Sequence, residues 1–400
     1  MIFQTLDDKK HCTGYYVDGK IHYDVPPADK HLTSTWSFSP HIKSEDVEYA
    51  QVYAGGATLD EACPEEYLAE WKQVSSRMRS FIRSFSLAKV SLAEHCFYDL
   101  VPERHLLEYC EVKNQICKHV FSTHAKPENY DFLVSAGKMI SRIDRQPLNL
   151  NFENIRSFLS KPHVRSFWKK FKDGDHSVRY NLFGTKTGRL STHKNSFPIH
   201  NMSRELRAVI EPKNDYLVEL DFNAAELRTL LSLSGKPQPQ EDIHDWHINN
   251  IFDGNETRDE AKRKVFAWMY NPERTDPALD KMYDRDSVVQ RYFNGSQVST
   301  FFSRMIPSDE KHALNYIIQS TTSDLLLKRM LAVDSLLENL NSYVSFCIHD
   351  NLVLDMKAEE CYIIPDIVKV FSDTDLGKFK VNMRVGRNFG DMKEVNKWTQ

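Results

Sequence analysis

The chain has 400 residues, with 52 Lys and Arg against 56 Asp and Glu, a net charge of −4, 41% hydrophobic residues and 12% aromatic. That length exceeds what one compact core holds and implies two or three domains or subdomains. No run approaches the ~18 apolar residues of a membrane span, and the opening MIFQTLDDKKHC lacks a signal peptide's basic and apolar regions, so no membrane partner is expected.

Seven cysteines, at 12, 63, 96, 110, 117, 347 and 361, form no CxxC pair and read as reduced thiols of a cytosolic protein, neither a disulfide framework nor a zinc site. The acidic balance argues against a general nucleic-acid binder, yet the charge is unevenly spread. Lys161 to Lys213 holds twelve Lys and Arg against four Asp and Glu, a local +8 that leaves −12 on the remainder. Such a stripe suits a phosphate backbone at one face; a solvated charged surface explains it equally well.

Residues 1 to about 80 are mixed, with short strand-like pieces and no catalytic signature. Within 86–135, Leu106, Leu107, Cys110, Val112, Ile116 and Val120 recur at helical spacing, predicting one arm of a helical hairpin with a second near Tyr130–Ile143. A basic helix is expected over Ser160–Phe171, capped by Ser160 with Pro162 in its first turn. The turn at 172–175 then opens a loop-rich region reaching Pro212.

DYLVELDF, residues 215–222, predicts a strand with Tyr216, Val218, Leu220 and Phe222 on one face and Glu219 and Asp221 on the other. A helix follows at once and stops at Ser234-Gly235. From 241 to 330 the pattern is mostly helical, broken at Asn271-Pro272 and Asp276-Pro277. SYVSFCIHDNLVLDM, residues 342–356, predicts a hairpin with His349-Asp350-Asn351 between its strands. The fold class expected is α+β, an antiparallel sheet carrying the acids with helical lobes around it.

Asp221 and Asp350 at strand ends suit two-metal phosphoryl or nucleotidyl transfer, because hard Mg²⁺ takes carboxylate oxygens. Arg258, Lys262, Phe266 and Tyr270 recur every four residues and so lie in an arc of roughly 120° on one helix face. Thr257 and Glu260 can close a capping box there, and Pro272 stops the helix. Two cations at a helix N-terminus followed by two rings match the layout of a nucleoside triphosphate. In TKTGRLST, residues 185–192, Gly188 allows close backbone approach and Arg189 can reach a groove edge or phosphate. Asn315 and Gln319 sit one turn apart, where amides can read minor-groove acceptors. Taken singly, each feature also has a structural explanation: acids at strand ends, a surface helix, a solvated loop, polar residues facing solvent. His244, Asp245, His247 and Asp253 carry ligand-type side chains without metal-site spacing, and no structural metal is expected there.

In this order the segments resemble family A DNA polymerases, the bacterial polymerase I and phage replicative type. TGRLS is similar to the family's primer-contacting motif, and DYLVELDFNAAELR resembles motif A, usually DYSQIELR. EDIHDWHINNIF resembles the DIH segment, RDEAKRKVFAWMY the R-x3-K-x3-F-x3-Y of motif B, ALNYIIQSTTSD the N-x3-Q-G-T-A-A-D helix, and IHDNLVL the HDE of motif C. The resemblance implies a right-hand fold with antiparallel-sheet palm, helical fingers and helical thumb. The divisions it suggests are a thumb at 86–175, palm at 176–235 and 331–400, fingers at 236–330, and a region of unknown role at 1–85.

It further implies that Asp221 and Asp350 bind two Mg²⁺, while Arg258, Lys262 and His244 grip the incoming triphosphate and Lys262 protonates the leaving pyrophosphate. Phe266 would stack on the nucleotide, Glu226 would fill the space of a ribose 2′-hydroxyl, and Tyr270 would support the templating base pair. Arg189 and His349 would hold the primer end, Asn315 and Gln319 would monitor the duplex, and Lys311 stands where the family often has a primer-contacting Arg. Departures are Asn351 for the Glu of HDE, Asn271 and Ser320 for glycines, Ala224 for Gln, and a short Tyr270–Asn315 stretch. The expected partners are primer-template DNA and deoxynucleoside triphosphates. Proofreading acids are not recognisable in the first 180 residues, so an exonuclease or a processivity factor would come from another chain. A phage or mobile-element enzyme of the host-cell cytoplasm fits this compact form. Two alternatives stay open, a single-subunit RNA polymerase and a catalytically silent nucleic-acid-binding scaffold.

Overall fold

The computed structural model describes residues 3–9, 12–23, 47–90, 95–252, 254, 256–271 and 273–395. They divide into two compact units, Met1–Arg145 and Gln146–Gln400, a boundary that falls inside the 86–175 segment. No helix of the described residues is long and apolar enough to cross a membrane.

The first unit holds an antiparallel meander, Phe3–Lys9, Cys12–Val17 and Lys20–His22, whose second turn places Asp18 and Gly19 at positive φ. Its longer helices are α1 (Glu65–Leu87), α2 (Glu103–Thr123) and α3 (Tyr130–Asp144). The hairpin arms expected from spacing are α2 and α3. The 23-residue α1 lies where no long helix was expected, because its many Ser, Arg and Glu dilute the apolar stripe. Packing recovers that stripe: Trp71, Val74 and Met78 of α1 close on Leu106, Cys110, Ile116, Cys117 and Val120 of α2. Each such side chain contributes about 1.5–3 kcal/mol when fully buried. Cys63, Cys110, Cys117, Cys347 and Cys361 are free thiols, as expected. Cys96 is disulfide-bonded, which corrects the expectation that every thiol is reduced.

The second unit is built on a five-stranded antiparallel sheet. Its strands are β1 (Tyr216–Phe222), β2 (Tyr343–Ile348), β3 (Asn351–Met356), β4 (Val381–Gly386) and β5 (Lys393–Glu394), in the order β2-β3-β1-β4-β5. This is the expected α+β architecture. Because β1 is central, Leu217 is as buried as Val218, and both faces are covered rather than one. Phe222 stacks on Phe371 with ring centroids 4.3 Å apart, fixing the end of β1 to the helix beneath.

The helices that bear on the site are α4 (Ala225–Leu233), α5 (Ile243–Asn250), α6 (Arg258–Tyr270), α7 (Glu310–Leu337) and α8 (Ile364–Ser372). The long α7 packs against α4, α8 and β2. The predicted capping box opens α6, with Thr257 and Glu260 bonding reciprocally. Ser160 does not cap the basic helix; that helix starts at Pro162 after Lys161, which makes no side-chain cap bond. The 241–330 region is mostly helical, as expected, with Gln297–Ser299 and Met305–Pro307 pairing as a short hairpin between its helices.

Candidate active site

Two strand ends bring the acids together. Asp221 on β1 lies directly opposite Asn351 on β3, so Asp350, the neighbouring hairpin residue, sits at the same edge of the sheet. Ile348 pairs with Asn351, leaving His349 and Asp350 as a two-residue turn. His349 holds φ +54°, a left-handed conformation that costs an L-residue about 1–3 kcal/mol and marks the turn as constrained.

Burial pushes the Asp221 carboxyl up to about 6, with Glu219 and Asp350 adding to the rise. Burial also raises Asp350, against the pull of Arg189 and His349. Neither carboxylate makes an ion pair among the described residues; Asp221 accepts only a long hydrogen bond from Asn382 Nδ2 at 3.4 Å. Paired, half-buried hard-oxygen donors with excess negative charge fit a divalent cation. No group of three or more His, Cys, Asp or Glu side chains gathers in metal-binding geometry among the described residues, and none forms around His244, Asp245 and His247; Asp253 lies outside them.

Beside this pair, Glu226 at the start of α4 is 8% exposed. Tyr270 Oη donates to its Oε2, and Arg189 Nη2 donates to its Oε1 at 2.7 Å. Burial, with Asp350 nearby, pushes the Glu226 carboxyl up to about 7 despite Arg189. Five of the expected residues thus share one neighbourhood: Asp221, Asp350, Glu226, Arg189 and Tyr270.

Along α6, Arg258 and Lys262 are exposed, and the rings of Phe266 and Tyr270 stack with centroids 6.0 Å apart. Lys262 makes no hydrogen bond or ion pair among the described residues. Arg258 is committed instead, with Nη2 2.8 Å from Asp242 Oδ2. Burial alone would raise the Asp242 carboxyl, but hydrogen bonds from Arg258, Asn223 and the Asp245 amide hold it well below the usual carboxylate range. His244 is 2% exposed, against Phe266 at 6.0 Å, and burial lowers its imidazole to about 4. His244 is thus buried beside that edge, close enough for the Arg258 and Lys262 charges to act on it.

The primer-motif loop rests on α7. Thr187 Oγ1 donates to Gln319 Oε1 at 2.9 Å. Gly188 has φ +76°, and a Cβ there would meet the Arg304 guanidinium at 2.6 Å. Arg304 is in turn held by Asp324 at 2.7 and 3.0 Å. Asn315 leaves its Oδ1 buried without a partner among the described residues, and Lys311 is exposed one turn earlier on the same face.

Sequence reading missed the residues that brace this site. Arg228, fully buried, donates to the carbonyls of Asn223, Pro239 and Glu241. Asn223 donates to Asp242 Oδ2 at 2.7 Å and so links the end of β1 to α5 and α6. The ELR run was the available signal, since an Arg inside an apolar helix needs buried acceptors.

Residues 280–394 match the family model of DNA polymerase family A. This part of the chain is similar to family A DNA polymerases. The matched residues contain the His349–Asp350 turn, α7 and strands β2 to β5, whereas Asp221, Glu226 and α6 precede them. A solved polymerase domain of Pol1 from M. smegmatis, in complex with DNA primer-template and dNTP, aligns over 86% of this chain and 81% of its own, with a TM-score of 0.60 and 13% identity. That likeness in fold reaches beyond residues 280–394 to most of the chain. No curated protein sequence matches it.

Proposed function

We propose that the chain is a template-directed DNA polymerase, adding deoxynucleotides to a primer 3′-hydroxyl. The observation that carries the reading is the cluster of Asp221 and Asp350 at one sheet edge, beside Glu226 tied to Tyr270 and Arg189. Two Mg²⁺, held by Asp221 and Asp350, would supply an activated 3′-oxygen and charge neutralisation on the departing pyrophosphate.

The chain's own residues do the rest. The primer oxygen attacks the α-phosphorus, the bond to the bridging oxygen breaks, and Lys262, exposed on α6, is placed to give that pyrophosphate a proton. Arg258 grips the triphosphate after exchanging Asp242 for it. Phe266 offers its ring to the base. Glu226, anchored by Tyr270, fills the space a 2′-hydroxyl would need and so favours deoxyribose. Arg189 and His349 take the primer end, while Asn315, Gln319 and Lys311 line α7 for the duplex. Residues 176–235 and 331–400 would form the palm and 236–330 the fingers; of the thumb segment, 86–145 belong to the first unit and 146–175 to the second. The host-cell cytoplasm is the proposed setting.

Primer extension with Mg²⁺ and four deoxynucleoside triphosphates tests the reading. Wild type should extend, and Asp350→Asn should bind the duplex equally while adding nothing. Wild type that binds without extending would establish the silent scaffold instead.

A further inference from the structure

Of the two cations on α6, one is already taken. We propose that Asp242 is a positioning residue that holds Arg258 in reserve: its carboxylate stands in for a phosphate, and an incoming triphosphate must displace it before Arg258 can grip. The inference rests on the polymerase reading above and names a control on that same site.

The contact is two-toothed. Arg258 Nη2 donates to Asp242 Oδ2 at 2.8 Å and Nε donates to Oδ1 at 3.3 Å, the fork that a guanidinium also lays on a phosphate. Its two halves are unequally fixed. Asp242 caps α5, where its Oδ1 accepts the His244 and Asp245 amides at 2.9 and 3.2 Å. Its Oδ2 accepts from Asn223 Nδ2 at 2.7 Å, and Asn223 is itself held by Arg228 and by the Ile243 amide. The Asp242 side chain is 18% exposed and that of Arg258 48%. Arg258 makes no other hydrogen bond among the described residues. When the fork opens, Asp242 stays in place and Arg258 swings.

The order of events follows from that asymmetry. Lys262, one turn further along the same face of α6, is exposed and can meet a phosphate first. Arg258 can join only by exchanging one anion for another, so its net contribution is the difference between the two contacts. The apparent affinity for a triphosphate is lowered by the small fraction of molecules in which Arg258 is free. A nucleotide that brings its phosphates fully up to α6 opens the fork, and one that reaches Lys262 alone does not. Asp242 thereby ties the grip of α6 to Asn223, two residues beyond Asp221 at the end of β1.

The test uses the full chain with Mg²⁺ and dATP, binding read by isothermal titration calorimetry and KM and kcat by single-nucleotide primer extension. Asp242→Asn keeps the capping oxygen and loses the charge. It should tighten dATP binding and lower KM about fivefold, the scale of a partly exposed ion pair, with kcat near the wild-type value. Asp242→Ser caps a helix equally well but is too short to reach Arg258; it should give the same gain, and this arm holds if the Asn variant does not fold. With Arg258→Ala already in place, adding Asp242→Asn should change dATP binding by less than about twofold, because Asp242 acts through Arg258. Unchanged or weaker dATP binding in the two Asp242 variants, a loss of kcat and Tm together, or the same gain in the Arg258→Ala background overturns the proposal. Wild type that binds dATP yet extends no primer would instead remove the polymerase reading.

Discussion

Replacing Asp221 with Asn tests whether the site stores electrostatic strain that a cation relieves. Ionising a carboxyl whose pKa burial has pushed from 3.8 to about 6 costs the folded state about 3 kcal/mol relative to the unfolded chain. The sign follows from proton binding. Between pH 4 and 6 the folded protein holds a proton that the unfolded chain has released, so wild-type stability falls as pH rises through that window and levels off above it. Asn carries no charge and can still meet Asn382. Asp221→Asn should therefore match wild type near pH 4 and exceed it by about 3 kcal/mol at pH 8 without divalent ions, roughly a 4–6 °C gain in Tm. Glu226, with its carboxyl near 7, titrates in both proteins and cancels from the difference. Denaturant melts at pH 4 and 8, with EDTA and with millimolar Mg²⁺, read the effect. Mg²⁺ should stabilise wild type and leave the variant unmoved, while primer extension is lost. Equal stability of the two proteins at pH 8 would refute the argument, as would a gain of the same size at pH 4.

Glu226→Ala should admit ribonucleotides, raising their incorporation relative to deoxynucleotides by about tenfold or more in single-nucleotide kinetics; unchanged sugar selectivity would free Glu226 of that role. Phe266→Tyr should relax rejection of dideoxynucleotides by placing a hydroxyl where the missing 3′-OH would be, visible as earlier termination in a mixed-nucleotide extension; equal termination by both proteins counts against the placement of Phe266. Gly188→Ala must adopt φ +76° and displace the Arg304 guanidinium, costing about 1–3 kcal/mol in denaturant melts and weakening primer-template binding. Asp324→Ala leaves Arg304 buried and unpaired and should cost about 3–5 kcal/mol, more than Gly188→Ala, in the same melts.

Much of the site was legible before any coordinates because its parts are local. Strand alternation placed Asp221 beside Glu219, a two-residue turn set Asp350 at a hairpin tip, and the Thr257–Glu260 box with four-residue spacing defined α6. These follow from backbone geometry, which depends on neighbours in the chain. The sheet order, and hence the meeting of residues 221 and 350, needed strands from distant parts of the chain to pair, and no local pattern specifies that register. Tertiary structure alone decided which charges are spent on one another: Arg258 on Asp242, Arg189 on Glu226, Arg304 on Asp324. It also turned His244 inward against Phe266 and set Glu219 against Asn351. The physical reason is common to all of these: residue type sets what a group can bind, but burial and approach set which partner it has, and both are properties of the packed chain.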